Sequence, residues 1–166
     1  MKSWDEYFMS IAYLVSMKSK DVRTRVGAVI VGVDNEIRST GYNGFPRGIS
    51  DDLERYKNPE YKDMIICHAE ESAILNLSIV GTNAKGCRMY TPWIPCSRCA
   101  RLIIQSRIKE VIFDPNFPGN KVRDDWSESI EISKELFKES GVILKGFTGK
   151  LIKTEILYKG VIYSIF

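Results

Sequence analysis

Two short runs constrain this chain more than anything else in it: Cys67-His68-Ala69-Glu70 and Pro95-Cys96-Ser97-Arg98-Cys99. His68 is the only histidine in 166 residues, and Cys96 and Cys99 are two of four cysteines. One imidazole and two thiolates make three ligands for a tetrahedral Zn²⁺. Structural zinc sites close all four positions, whereas catalytic ones keep one open for water. Closing this site would take Cys67 or Cys87 as a fourth ligand, and that reading stays open. Glu70 favours the open site, because zinc lowers the pKa of a bound water towards ~7 and a nearby carboxylate can take its proton. The fold must therefore bring together two segments about thirty residues apart.

The rest of the composition is ordinary for a soluble globular protein. At 166 residues, with 44% hydrophobic and 27% charged content, the chain reads as one domain spanning 1–166. No apolar run approaches the ~20 residues of a membrane span. The N-terminus, Met1-Lys2-Ser3-Trp4-Asp5-Glu6, carries acids where a signal peptide would need a basic and then an apolar stretch. A cytoplasmic location is expected, where C-x-x-C reads as a metal site before it reads as a disulfide. A net charge of +3 does not argue for a nucleic-acid partner.

Periodicity then orders the elements. Trp4, Phe8, Ile11, Ala12 and Val15 make one stripe of a helix over 4–19. Val26 to Val31 is a buried strand, Asp34-Asn35 a hairpin turn, and Ile37 to Tyr42 the returning strand. Gly41-Tyr42-Asn43-Gly44-Phe45-Pro46-Arg47-Gly48 follows, where three glycines call for special backbone angles or a close approach. Ser50 to Met64 reads as an ordered excursion over the surface. A helix over 69–77 has His68 at its entrance, so that its first turn aims both His68 and Glu70 inward. A strand over 87–91 leads to a helix over 97–107, with Cys96 and Cys99 at its start. A strand at 111–113, a loop over 114–124, a helix over 126–139 stopped by Gly141, and a strand at 142–144 complete the pattern. The tail from Lys150 alternates weakly. This order predicts an α/β fold, a three-layer α/β/α sandwich on one mixed five-stranded sheet.

H-x-E followed by P-C-x-x-C is the signature of zinc-dependent nucleobase deaminases. With Trp4-Asp5-Glu6-Tyr7-Phe8-Met9, Ser19-Lys20-Asp21, Val26-Gly27-Ala28, Gly41-Tyr42-Asn43-Gly44 and Leu102-Ile103-Ile104-Gln105, the chain resembles the deoxycytidylate (dCMP) deaminases of the cytidine deaminase superfamily, from about Trp4 to Phe117. The resemblance implies zinc held by His68, Cys96 and Cys99, and Glu70 as the catalytic proton shuttle that turns dCMP into dUMP and ammonia. It implies that Asn43 holds the sugar hydroxyl, the Ala69 backbone the base, and Phe117 the nucleotide, at a position where the family often has tyrosine. Thr24 and Arg25, beside Arg23, are candidates for the substrate phosphate. The resemblance further implies a homo-hexamer, activated by dCTP and inhibited by dTTP, with Mg²⁺, at a second site near the glycine-rich loop. Lys20, Arg23, Gly44, Phe45, Arg47, Asp51 and Asp52 are its candidate residues. A second, structural zinc is not expected, since no further histidine is present. Arg107 stands where relatives often have glycine, and the Pro46-to-Met64 insert resembles a variant form. A deaminase of another cytosine or adenine substrate, such as cytidine or a tRNA base, and a non-catalytic zinc module are the competing readings.

Overall fold

The computed structural model describes residues 2–121, 125–153 and 155–164. Its centre is β1 (Gly27–Val31), buried at every position because both of its faces are covered. β1 runs antiparallel to β2 (Ile37–Tyr42) on one side and to β3 (Arg88–Thr91) on the other. β4 (Glu110–Phe113) and β5 (Ile143–Gly146) then add in parallel, giving the order β2-β1-β3-β4-β5. Alternate β1 side chains enter opposite layers. Val29 and Val31 join Phe8, Met9 and Ala12 of α1 (Trp4–Ser16). Ala28 and Ile30 join a larger core with residues from α4 (Ala69–Val80), α5 (Ser97–Gln105) and α6 (Ser127–Ser140). The three-layer sandwich on a mixed five-stranded sheet is thus the observed fold.

Two glycines let the helices press onto the sheet. A Cβ on Gly27 would strike the Ala12 carbonyl of α1, and one on Gly41 would strike the backbone of Ala69 and Ala73 in α4. Gly41 therefore seats the entrance of α4 against the end of β2. Of the other two glycines in that loop, Gly48 needs its left-handed φ of +85°, while Gly44 needs neither a special φ nor a close approach. The hairpin turns at Asn35, whose φ is +64°. Arg107 also sits in the left-handed region, at +59°, where glycine would be unstrained.

The structure corrects the reading of 50–64. That stretch forms two short helices, α2 (Leu53–Lys57) and α3 (Pro59–Ile65). Asp52 caps α2, and Asn58 caps α3 ahead of Pro59 at its first position. The segment is no mere surface excursion, because Tyr56 is wholly buried and stacks on Phe45 at 4.1 Å. α1 ends three residues earlier than its apolar stripe predicts, and the Ser19 hydroxyl instead donates to the Asn43 carbonyl. The tail adds a hairpin, β6 (Glu155–Tyr158) and β7 (Val161–Ser164).

Candidate active site

Both half-sites sit at helix entrances. His68 has extended backbone angles (φ −72°, ψ 161°) and the helix begins at Ala69, so the chain turns sharply between His68 and Glu70. Cys96 repeats this at the start of α5 (φ −70°, ψ 170°), with Cys99 in its first turn. The two entrances meet. His68 Nδ1 lies 3.4 Å from Cys96 Sγ and 3.4 Å from Cys99 Sγ, and all three atoms fall within 4.8 Å of one another. Zinc–sulfur and zinc–nitrogen bonds of ~2.3 and ~2.0 Å at tetrahedral angles put such atoms about 3.5 Å apart, so the donor set fits a zinc ion. Neither Cys67 nor Cys87 belongs to this group; the Cys87 thiol faces the Asn83 carbonyl.

Glu70 completes the cluster. It is 5% exposed, and Cys99 Sγ approaches its Oε2 to 3.7 Å. Burial pushes the Glu70 carboxyl up to about 7. Hydrogen bonding from Cys99, with a further contribution from His68, brings the Cys96 thiol down to about 4, while the Cys96 contact and burial push Cys99 up. Burial pulls His68 down, but its Cys96 contact and the nearby Glu70 outweigh this and raise it. Metal binding uses the thiolate and neutral imidazole forms, so a divalent cation would displace the protons that Cys99 and His68 hold here.

The cluster opens on a cavity of about 490 Å³ whose walls include Asp21, Arg23, Thr24, Asn43, Lys62 and Trp93. A shallower pocket of about 430 Å³ shares Arg23, Thr24 and Trp93 and adds Arg25, Phe117 and Gly119. The sequence profile of the cytidine and deoxycytidylate deaminase zinc-binding region matches residues 2–114, which contain every member of the cluster. The chain belongs to this family. Mouse deoxycytidylate deaminase is 43% identical over 155 residues, covering 90% of this chain and 83% of the relative. The human deoxycytidylate deaminase is 41% identical over the same shares. Among solved structures, dCMP deaminase from the cyanophage S-TIM5, in complex with dCMP and dUMP, superposes with a TM-score of 0.69 at 26% identity, covering 89% of this chain and 99% of that one.

In this deaminase the residues expected at the substrate fall along the two pockets. Ala69 is buried beside the cluster, and Thr24 lines both pockets, Arg25 and Phe117 the outer one. Asn43 is 7% exposed and already engaged. Its Oδ1 accepts from the Val26 N–H (2.8 Å), and its Nδ2 donates to the Thr24 carbonyl (2.9 Å) and to Asp21 (3.4 Å).

Of the residues expected at a second nucleotide site, Lys20, Phe45 and Asp51 come together, while Arg23, Gly44, Arg47 and Asp52 are engaged elsewhere. Arg23 belongs to the wall of the catalytic cavity. Arg47 donates to Asn76 on α4 at 2.7 Å, and Asp52 caps α2. Gly44 pairs its backbone with Cys67. Lys20 and Asp51 form an exposed ion pair at 2.7 Å, with the Tyr56 hydroxyl on the other Asp51 oxygen and Phe45 stacked behind it.

Several residues of the site gave no readable signal in the sequence. Trp126 stands edge-on to His68 at 5.4 Å and to Trp93 at 6.2 Å, and Trp93 meets Phe117 at 5.7 Å. Asp21 and Lys62 pair at 3.0 Å in the cavity wall, with side chains 1% and 11% exposed. A lysine in a charged insert looks like surface; only the packing of α3 on the α1–β1 link buries it.

Proposed function

We propose that this chain hydrolyses dCMP to dUMP and ammonia with zinc at His68, Cys96 and Cys99. The observation that carries this reading is the three-ligand cluster with a buried carboxyl beside it, opening on a cavity of nucleotide size. When bound, zinc supplies the Lewis acidity that makes water a nucleophile near neutral pH. Glu70 carries the first proton of the attacking water to N3 of the base and the remaining hydroxyl proton to the C4 amino nitrogen, which leaves as ammonia as the C4 carbonyl forms. The Ala69 backbone, in the first turn of α4, holds the base. The Asn43 Oδ1 has a second lone pair for the sugar hydroxyl. Thr24 and Arg25 take the phosphate, with Phe117 and Trp93 flanking the nucleotide. The direct test is ammonia release from dCMP, dCTP, CMP and deoxycytidine. dCMP should be turned over with the highest kcat/KM. Equal kcat/KM for deoxycytidine would remove the phosphate contact from the proposal.

The resemblance to regulated deaminases extends the reading to a cytoplasmic homo-hexamer that dCTP with Mg²⁺ activates and dTTP inhibits. Supporting it, the Lys20–Asp51 pair and the Phe45–Tyr56 stack are joined through a short loop to Asn43. A ligand there would bias the sugar pocket only by binding two of its states unequally. dCMP saturation curves with each triphosphate test this. Superimposable curves at millimolar effector would leave the loop to the active site alone.

A further inference from the structure

Arg98 lies between the two cysteine ligands in sequence yet reaches the opposite half-site. Its Nη2 donates to the Ile66 carbonyl at 2.9 Å and to Glu71 Oε2 at 2.8 Å. Glu71 Oε2 in turn accepts from the backbone N–H of His68 at 3.3 Å. Three hydrogen bonds thus tie the Cys96–Cys99 turn to the main chain on both sides of Cys67, directly at the Ile66 carbonyl and through Glu71 at the His68 N–H. The pair is only partly exposed, with side chains 39% and 22% open. Arg98 also buries its Nε with no hydrogen-bond acceptor among the described residues. A side chain serving only surface charge would leave that N–H in water.

We infer that Arg98 is a positioning residue that, through Glu71 and the Ile66 carbonyl, locks the spacing between the histidine and cysteine halves of the metal site and so slows metal release. The physical reason is that the two halves have no covalent link nearer than 28 residues of chain. Without a brace, the entrances of α4 and α5 can separate far enough to drop one ligand at a time. A guanidinium suits this because the two N–H groups of Nη2 diverge in one fixed plane, one towards the Ile66 carbonyl and one towards Glu71, whereas the donors of an ammonium rotate freely. Partners behind metal ligands typically matter by 10–100-fold in metal affinity, so an effect of about that size is expected.

The inference rests on the zinc reading of the cluster, and one experiment separates the two. Zinc is counted in the purified protein, and its release into a chromogenic chelator is timed for the unaltered chain, Arg98→Met, Arg98→Lys, Glu71→Gln and the Arg98→Met/Glu71→Gln pair. The unaltered chain should carry one zinc and release it slowly. Arg98→Met should release it about 10–100-fold faster, and Arg98→Lys should not restore the slow rate. Adding Glu71→Gln to Arg98→Met should change the rate little further, since Arg98→Met has already removed the Arg98–Glu71 contact. Should Arg98→Met fail to fold, Glu71→Gln alone must still speed release. Release at the unaltered rate in Arg98→Met, full rescue by lysine, or additive effects in the pair would overturn the brace. An unaltered chain without zinc would overturn the metal reading itself, and the brace with it.

Discussion

Two polar clusters face one cavity, and they are completed differently. Around Asp21 and Asn43 the chain supplies almost every partner. Asp21 Oδ1 accepts from the N–H groups of Arg23 (2.8 Å) and Thr24 (3.2 Å), and its Oδ2 from Lys62 (3.0 Å) and Asn43 (3.4 Å). Around His68, Cys96 and Cys99 the same density of polar atoms converges on a point and finds chiefly one another, at 3.4 Å. Three metal-binding atoms gathered within 4.8 Å around one point mark where an ion would sit. The first cluster is a clasp that shapes the pocket wall, and the second is where the proposed function puts the chemistry. Asn43, expected from the resemblance to be a sugar contact, is in the structure also the pin that holds Thr24 and Val26.

This contrast can be broken by substitution. The largest effect should come from Glu70→Gln, which keeps the shape and removes proton transfer. Turnover should fall by about 10²–10⁴, with zinc content and melting temperature retained; near-normal turnover would make Glu70 part of the scaffold. Asp21→Ala should act in the opposite sense, on stability before chemistry. It leaves the Lys62 ammonium buried with its main partner gone, and should cost about 3–5 kcal/mol in denaturant unfolding. A loss well below 1 kcal/mol would show that the clasp is not what holds the wall. Asn43→Ala should be the mildest. It strands the Val26 N–H, which should cost about 1–3 kcal/mol, and raises KM for dCMP while zinc content stays unchanged. A raised KM with unaltered stability would sharpen the comparison by making Asn43 a sugar contact above all.

The ligands were legible because their chemistry is written in residue types and spacing. A lone histidine, a glutamate two residues on and a C-x-x-C cannot easily mean anything else together. The sheet was legible too, since the strands expected at 26–31, 87–91 and 111–113 overlap β1, β3 and β4 to within a residue at each end. The insert over 50–64 was not, although Asp52 and the Asn58-Pro59 pair are capping signals that its charged composition masked. Lys62 carries no signal in the sequence, and Arg98 occupies one of the two unspecified positions of C-x-x-C.

By itself the sequence determined what the candidate site is made of: which atoms can bind a metal, which carboxyl stands beside them, and which helices carry them. Those properties follow from short-range order, because ligand type and first-turn geometry are local. Only the tertiary structure decided who stands behind them. Asp21 finds Lys62 across 41 residues, and Arg98 finds Glu71 across 27, because α3 and α5 pack where they do. Such pairings depend on the approach of whole elements, and no periodicity along the chain records that.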